Sequence, residues 1–98
     1  MIKKCEKMTF SEAGEELRLV YSIIETSEET EGKSYIGYGI RIDKYIGERL
    51  TESAEISNIT SKTLEIDRLF MVLSNNTVTP MCLKEVVEEY LADVFCGG

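Results

Sequence analysis

Residues 34–43 read SYIGYGIRID, and the predicted architecture depends on whether this stretch is a loop or a strand. Its two glycines, Gly37 and Gly39, invite comparison with the glycine-rich loops that cradle phosphate groups. Such a loop leads from a strand into the start of a helix, whereas these glycines alternate with isoleucines and tyrosines, which favour strands. The pattern therefore predicts a strand, with the glycines at points where a neighbouring backbone or a packed helix comes close, or where the sheet bends.

Strand signals continue on both sides of this segment. In residues 15–26, EELRLVYSIIET, apolar side chains recur at every second position from Leu17 to Ile23, which is typical of a half-buried strand. We expect an edge strand over residues 2–9 and a fourth strand over residues 48–59, whose register the sequence leaves open. The polar segment SEETEGK at 27–33 is interpreted as the connection between the two central strands.

The second half of the chain has a helical period. Apolar side chains follow near helical spacing up to Leu73, after Thr60 or Ser61, either of which can cap a helix N-terminus. The segment SNNTVTP at 74–80 ends this helix, and a second apolar stripe at three-four spacing runs from Leu83 to Phe95. The sequence thus predicts one α+β domain over 1–98. An antiparallel four-stranded meander (1–59) precedes two C-terminal helices (60–96) packed on one face of the sheet.

Composition restricts the chemistry. The chain has 11 basic and 18 acidic residues, a formal charge of -7, and no histidine. This charge repels nucleic acid but suits a basic protein partner. The lack of histidine removes the commonest general base and zinc ligand, and the three cysteines, Cys5, Cys82 and Cys96, form no CxxC pair. We therefore expect no enzyme, no catalytic residues, no cofactor and no metal.

The two ends of the chain bear on its location and on one further class of function. The N-terminal MIKKCEKMTF lacks the apolar core of a signal peptide, and the longest apolar run, LFMVL at 69–73, is too short to span a membrane, so a cytoplasmic location is expected. The C-terminal Gly97-Gly98 also occurs in ubiquitin-like modifiers. Those folds place a helix between two hairpins, which differs from the order predicted for this chain.

Carboxylates cluster in two places, on the connection between strands two and three and on the outer face of the last helix. Neither cluster has the alternating ligands and central glycine of a calcium loop, and a solvated surface is the default location of acidic side chains. Both clusters also suit docking to a basic partner. The predicted partner-binding residues are Glu25, Glu28, Glu29 and Glu31 in the first cluster, and Glu85, Glu88, Glu89 and Asp93 in the second.

Two short motifs, Tyr38-Gly39-Ile40 and Val78-Thr79-Pro80, lie in the stretches YGIRI and NNTVTPMCLKEVVEEYL. They resemble a family of small Firmicute proteins classed as a domain of unknown function, and the similarity runs from about Tyr21 to Leu91. The resemblance implies a bacterial or phage origin and a cytoplasmic location. It supplies no activity and no site residues.

Charge and the lack of catalytic groups lead us to expect a non-enzymatic acidic binding protein, an inhibitor of a host nucleic-acid-handling complex of the anti-CRISPR or phage anti-defence type. Its partner is expected to be a protein with a basic surface, with no direct contact to nucleic acid or membrane. The alternative is a cytoplasmic accessory or regulatory subunit of a bacterial complex that acts as a protein-interaction domain, with a homodimer through its sheet edge as a further possibility.

Overall fold

Four antiparallel strands form one sheet in the order β1-β2-β3-β4, and two helices follow them. The computed structural model describes residues 3–96, with side chains described for residues 3–92. The strands are β1 (Lys4–Phe10), β2 (Glu16–Thr30), β3 (Lys33–Ile46) and β4 (Arg49–Thr60), and the helices are α1 (Thr63–Asn75) and α2 (Leu83–Cys96), separated by a 3-10 turn at Pro80–Cys82. The predicted meander with two C-terminal helices is confirmed.

The core lies between the helices and one face of the sheet. Every second residue of β2 from Leu17 to Ile23 points into it, as the sequence alternation predicted. Burying each large aliphatic side chain of this kind contributes about 1.5–3 kcal/mol. The fully buried side chains of the sheet and helices are Leu19, Tyr21, Ile23, Ile40, Ile42, Ile66, Leu69, Leu73 and Leu83.

Gly37 and Gly39 lie within β3, in agreement with the strand interpretation. The pairing of β3 with β4 is irregular between Tyr38 and Ile40, and β4 passes close over both glycines there. A Cβ atom on Gly39 would lie 2.7 Å from the Cα of Ser57, and one on Gly37 would overlap the side chain of Asn58. The backbone of β4 occupies the space of the missing side chain at Gly39, and the Asn58 side chain occupies it at Gly37.

The interpretation of 27–33 as a connection is wrong, because both central strands continue through most of it. β2 extends to Thr30 and β3 begins at Lys33, so only Glu31 and Gly32 form the turn. Both have positive φ, 53° and 77°, as in the two-residue turns whose twist matches that of paired strands. Residues 27–33 lack the apolar alternation of a strand because a hairpin that is exposed on both faces does not need it.

The start of α1 also differs from the prediction, since neither Thr60 nor Ser61 is its cap. Lys62 occupies the N-cap position and makes no side-chain capping hydrogen bond. The Thr60 hydroxyl instead accepts a hydrogen bond from the Lys62 amide at 3.1 Å and donates one to the Glu65 carboxylate at 2.7 Å. Thr60 therefore organises the β4–α1 connection from outside the helix.

A buried hydrogen bond joins the sheet to the segment between the helices. The Tyr21 hydroxyl donates to the Val78 carbonyl oxygen at 2.8 Å, and the Tyr21 side chain is fully buried. Burial disfavours the phenolate and, together with a smaller electrostatic effect of the nearby Cys5, raises the pKa of Tyr21 to about 12. This bond fixes the α1–α2 connection over the centre of β2.

Candidate functional site: an acidic arm and an uncovered sheet face

The β2–β3 hairpin projects beyond the rest of the sheet. Among residues 3–96, β1 pairs with β2 only as far as Ser22 and β4 pairs with β3 only from Tyr38 onward, so no third strand of this described part flanks residues 25–36. We call residues 25–36 the arm. At about 3.4 Å per strand residue, it extends about 20 Å from the body of the sheet. All of its residues are exposed or half-buried, so both of its faces are accessible.

The arm carries the first predicted acidic cluster. Strand alternation divides this cluster between the two faces, with Glu25 and Glu29 on the helix side and Glu28 on the opposite side. Glu31 lies in the turn at the tip. Lys33 is the arm's only basic residue, so the formal charge of the arm is strongly negative. The structure therefore places these carboxylates around a projecting rod rather than on one loop surface.

Several acidic residues of the sheet body are neutralised within the chain, unlike most of those on the arm. Lys44 pairs with Glu52 at 2.6 Å, and Arg41 pairs with Asp43 at 3.0 Å. Among the described residues, Glu28, Glu29 and Glu31 of the arm form no ion pair. The uncompensated negative charge of the arm is therefore available to a partner.

The second predicted cluster lies on α2. Glu85, Glu88 and Glu89 are exposed, as expected for the face opposite the apolar stripe. Asp93 lies in α2, but its side chain is outside the described part of the chain. These carboxylates lie on a helix packed against the body, whereas those of the first cluster extend from it. The two clusters therefore form separate surfaces.

The sheet face opposite the helices carries a polar network across β3 and β4. The Asp43 carboxylate accepts hydrogen bonds from Arg41 Nε at 3.0 Å and from the Ser53 hydroxyl at 2.6 Å. Arg41 also lies 3.6 Å from Glu55. The hydrogen bond to Asp43 and the negative charge of that carboxylate raise the pKa of Arg41. Since its members satisfy one another, the network serves to hold the two strands together.

A different arrangement lies on the same face, nearer the β3–β4 turn. The Arg18 guanidinium stacks on the Tyr45 ring at 4.6 Å, yet its Nε is buried and has no hydrogen-bond partner. In the strand register, Met8, Arg18, Tyr45 and Leu50 form a row across all four strands. Met8 and Leu50 are 56% and 47% exposed. We call this set the Arg18 row.

A cavity of about 360 Å³ opens beside the Arg18 row, lined by Met8, Glu16, Arg18 and Gly47. Sequence reasoning missed the row because its members come from four strands and meet only once the register is set. The available signal was the alternation of Met8 and Phe10 along β1, which places two large apolar side chains on one strand face. Phe10 is 69% exposed beside the row.

Little else in the described residues has the arrangement of a chemical site. Among the side chains described, those of residues 3–92, there is no group of three or more histidine, cysteine or acidic residues able to hold a metal ion. Cys5 is half-buried and Cys82 is exposed, both as free thiols, while the Cys96 side chain and Gly97-Gly98 lie outside the described part of the chain. No helix in that part is long and apolar enough to cross a membrane.

Comparison with known proteins matches the chain to one family model. Searches of curated proteins and of solved structures find no match to the chain. A family model described as a family of unknown function, DUF6514, matches residues 1–93. The match includes the whole sheet, α1 and most of α2. The chain therefore belongs to this family of unknown function.

Proposed function

We propose that this protein is a non-enzymatic binding module that inserts its acidic arm into a basic groove of a protein partner. The observation that supports this most strongly is the shape of the arm, a two-stranded rod about 20 Å long with carboxylates on both faces and at its tip. A groove can contact both faces of such a rod at once. A flat acidic surface, such as the outer face of α2, presents its carboxylates to one side only.

The electrostatics of the arm supports the same proposal. Glu28, Glu29 and Glu31 have no ion pair among the described residues, so binding does not first require that an internal salt bridge be broken. Charge complementarity of this kind accelerates association and selects partners of opposite sign. The exposed Tyr35 and Ile36 add apolar contact area on the same hairpin. Aromatic side chains of this kind are enriched where interfaces are strongest.

Within this proposal, the partner is a nucleic-acid-handling complex of a bacterial host, and the protein acts in the cytoplasm as an inhibitor of the anti-CRISPR or phage anti-defence type. The support is the charge relation alone. A groove built to hold a phosphate backbone is lined with lysine and arginine, and an arm with uncompensated carboxylates competes for it. The alternative is an accessory subunit of a bacterial complex that uses the same arm for assembly rather than inhibition.

The test compares two charge reversals of equal size. One variant carries Glu28→Lys, Glu29→Lys and Glu31→Lys on the arm, and the other carries Glu85→Lys, Glu88→Lys and Glu89→Lys on α2. Both change the formal net charge from -7 to -1. Partners captured from host lysate by the wild type are identified, purified and titrated with all three proteins by surface plasmon resonance.

We expect the arm reversal to lower affinity at least tenfold, mainly through the association rate, and the α2 reversal to lower it less than threefold. Wild-type affinity should fall between 50 and 500 mM salt, over which the Debye length shrinks from about 14 to about 4 Å. Equal effects of the two reversals would show that net charge matters and the arm does not. An affinity that ignores salt and both reversals would contradict the proposal.

A further inference from the structure

The sheet face opposite the helices, which we call the uncovered sheet face, is closer to neutral than the chain as a whole. Outside the arm, the strand register places seven charged residues on it, the basic Lys4, Arg18 and Arg41 and the acidic Glu6, Glu16, Asp43 and Glu55. These nearly cancel, although the chain as a whole has a formal charge of -7. The self-repulsion that a net charge imposes is therefore small at this face, so charge does not oppose its contact with a copy of itself.

Two opposite charges on this face are unpaired. Arg18 stacks on Tyr45 but forms no ion pair among the described residues, and Glu16, two positions earlier on the same strand face, forms none either. The buried Arg18 Nε has no hydrogen-bond partner, which costs free energy in the isolated chain. A carboxylate delivered from outside the chain would pair with the charge of the Arg18 guanidinium, for which the described residues supply no ion-pair partner.

The strand register makes this pair self-complementary. Glu16 is paired across β1 with Phe10, and Arg18 with Met8. Consider two copies whose sheets face each other, related by a two-fold axis midway between the sheets. The axis is parallel to the sheets and perpendicular to the strands, and it passes over β2 at the level of Leu17. It places Glu16 of one copy over Arg18 of the other, and Phe10 over Met8. One symmetric contact thus forms two ion pairs and two apolar contacts, as an isologous interface requires.

We propose that the uncovered sheet face binds the same face of a second copy of this chain, with Arg18 of each copy paired to Glu16 of the other. Phe10 of the second copy then enters the cavity that Met8, Glu16, Arg18 and Gly47 line. Face-to-face sheets cross at about 30°, so residues nearest the axis move least from this alignment. Glu16 and Arg18 flank the axis directly.

The size of the patch determines the expected strength of the dimer. Four strands about 4.8 Å apart and three rows of side chains about 6.8 Å apart give about 400 Å² per copy. The total of about 800 Å² lies below the roughly 1,200 Å² of stable protein interfaces. We therefore expect a weak, reversible dimer with a dissociation constant between about 10 μM and 1 mM. Its measurement requires concentrated protein.

The experiment is sedimentation equilibrium of the full chain from about 10 μM to 1 mM protein. The wild type is expected to show a reversible monomer–dimer equilibrium. Glu16→Arg and Arg18→Glu, made singly, should each weaken it at least tenfold, because each places like charges at both cross-copy positions. An equimolar mixture of these two variants should restore dimers to within about threefold of wild type, since opposite charges then meet at both positions.

Controls separate this contact from general effects. Lys84→Glu and Glu85→Arg, adjacent exposed charges on α2, repeat the same charge changes away from the face and should leave dimerisation unchanged. Circular dichroism checks the fold of every variant. If Arg18→Glu does not fold, Phe10→Asp, at a 69% exposed position, is the substitute and should abolish dimers.

A wild type that is monomeric at 1 mM overturns this proposal, as does a dimer that the single variants do not weaken, which would indicate pairing at a sheet edge. Failure of the mixture to restore dimers also overturns it. The arm takes no part in this contact. The arm reversal variant should therefore dimerise like the wild type, and the outcome here is independent of the proposed docking function.

Discussion

Replacing Tyr21 with phenylalanine deletes one hydroxyl and leaves the rest of a fully buried side chain in place. That hydroxyl donates to the Val78 carbonyl oxygen at 2.8 Å. Without it, the carbonyl loses its side-chain donor in the interior, at a cost of about 1–2 kcal/mol. In a domain of this size each kcal/mol lowers Tm by about 4–8 °C. We therefore expect Tyr21→Phe to fold with a clearly reduced free energy of unfolding at neutral pH.

The pH dependence gives a second, independent signature. Because burial raises the pKa of Tyr21 to about 12 while the unfolded tyrosine titrates near its ordinary value of 10, the folded state retains a proton that the unfolded state loses as pH rises. The unfolded state then binds fewer protons, so stability falls with increasing pH. Between pH 9 and 11 the wild type should lose on the order of 1 kcal/mol of unfolding free energy through this residue, and Tyr21→Phe should not.

The assay is urea unfolding at pH 7, 9 and 11, followed by circular dichroism, with wild type and variant compared at each pH so that other titrating groups cancel. Tyr35→Phe is the matched control, since it removes a hydroxyl from a tyrosine that is 43% exposed on the arm. The free energy of unfolding of the wild type should exceed that of Tyr21→Phe by less at pH 11 than at pH 9. A difference in free energy of unfolding that stays constant with pH would refute the raised pKa of Tyr21. No difference at pH 7 would refute the stabilising role of the hydrogen bond.

Three further substitutions test the α1 core, the β3–β4 contact and the cysteines. Leu73→Ala should cost about 2–5 kcal/mol in urea unfolding because Leu73 is fully buried under the sheet, and a smaller cost would mean that the α1 core contact is loose. Gly39→Ala should cost about 2 kcal/mol or more, since its Cβ would collide with the β4 backbone, while Ser34→Ala on the exposed arm stays near wild type in the same assay. Replacing Cys5, Cys82 and Cys96 together with alanine should leave partner affinity within a few-fold of wild type in surface plasmon resonance. Lost binding by a variant that still folds would indicate a thiol mechanism.

The sequence alone was enough for the class of the fold, because its two periods are local properties. Alternation from Leu17 to Ile23 marks one strand face, and the stripe that begins at Leu83 marks one helix face. Each face is apolar because it must be buried. The order of strands and helices then leaves a helical pair covering one side of a meander. The strand assignment of Gly37 and Gly39 was possible for the same reason.

Local pattern failed where burial does not act on the chain. Residues 27–30 are polar on both strand faces because the arm is covered on neither, so nothing in their sequence distinguishes a strand from a loop. The prediction of the α1 cap also failed, because of a contact that the local pattern does not show. Thr60 bonds to Glu65, five residues away, and that contact competes with the local capping bond that the sequence suggested.

The arm and the Arg18 row, the two surfaces proposed for binding, are products of the tertiary structure. Which carboxylates are neutralised depends on cross-strand partners such as Lys44 and Glu52, and those partners are set by strand register. The Arg18 row assembles Met8, Arg18, Tyr45 and Leu50 from four strands, although as many as 42 positions separate its members along the chain. Periodicity indicates which side of a strand faces the core. Only hydrogen-bonded pairing determines which residues of other strands lie beside it, because register depends on the turns and bulges of the whole sheet.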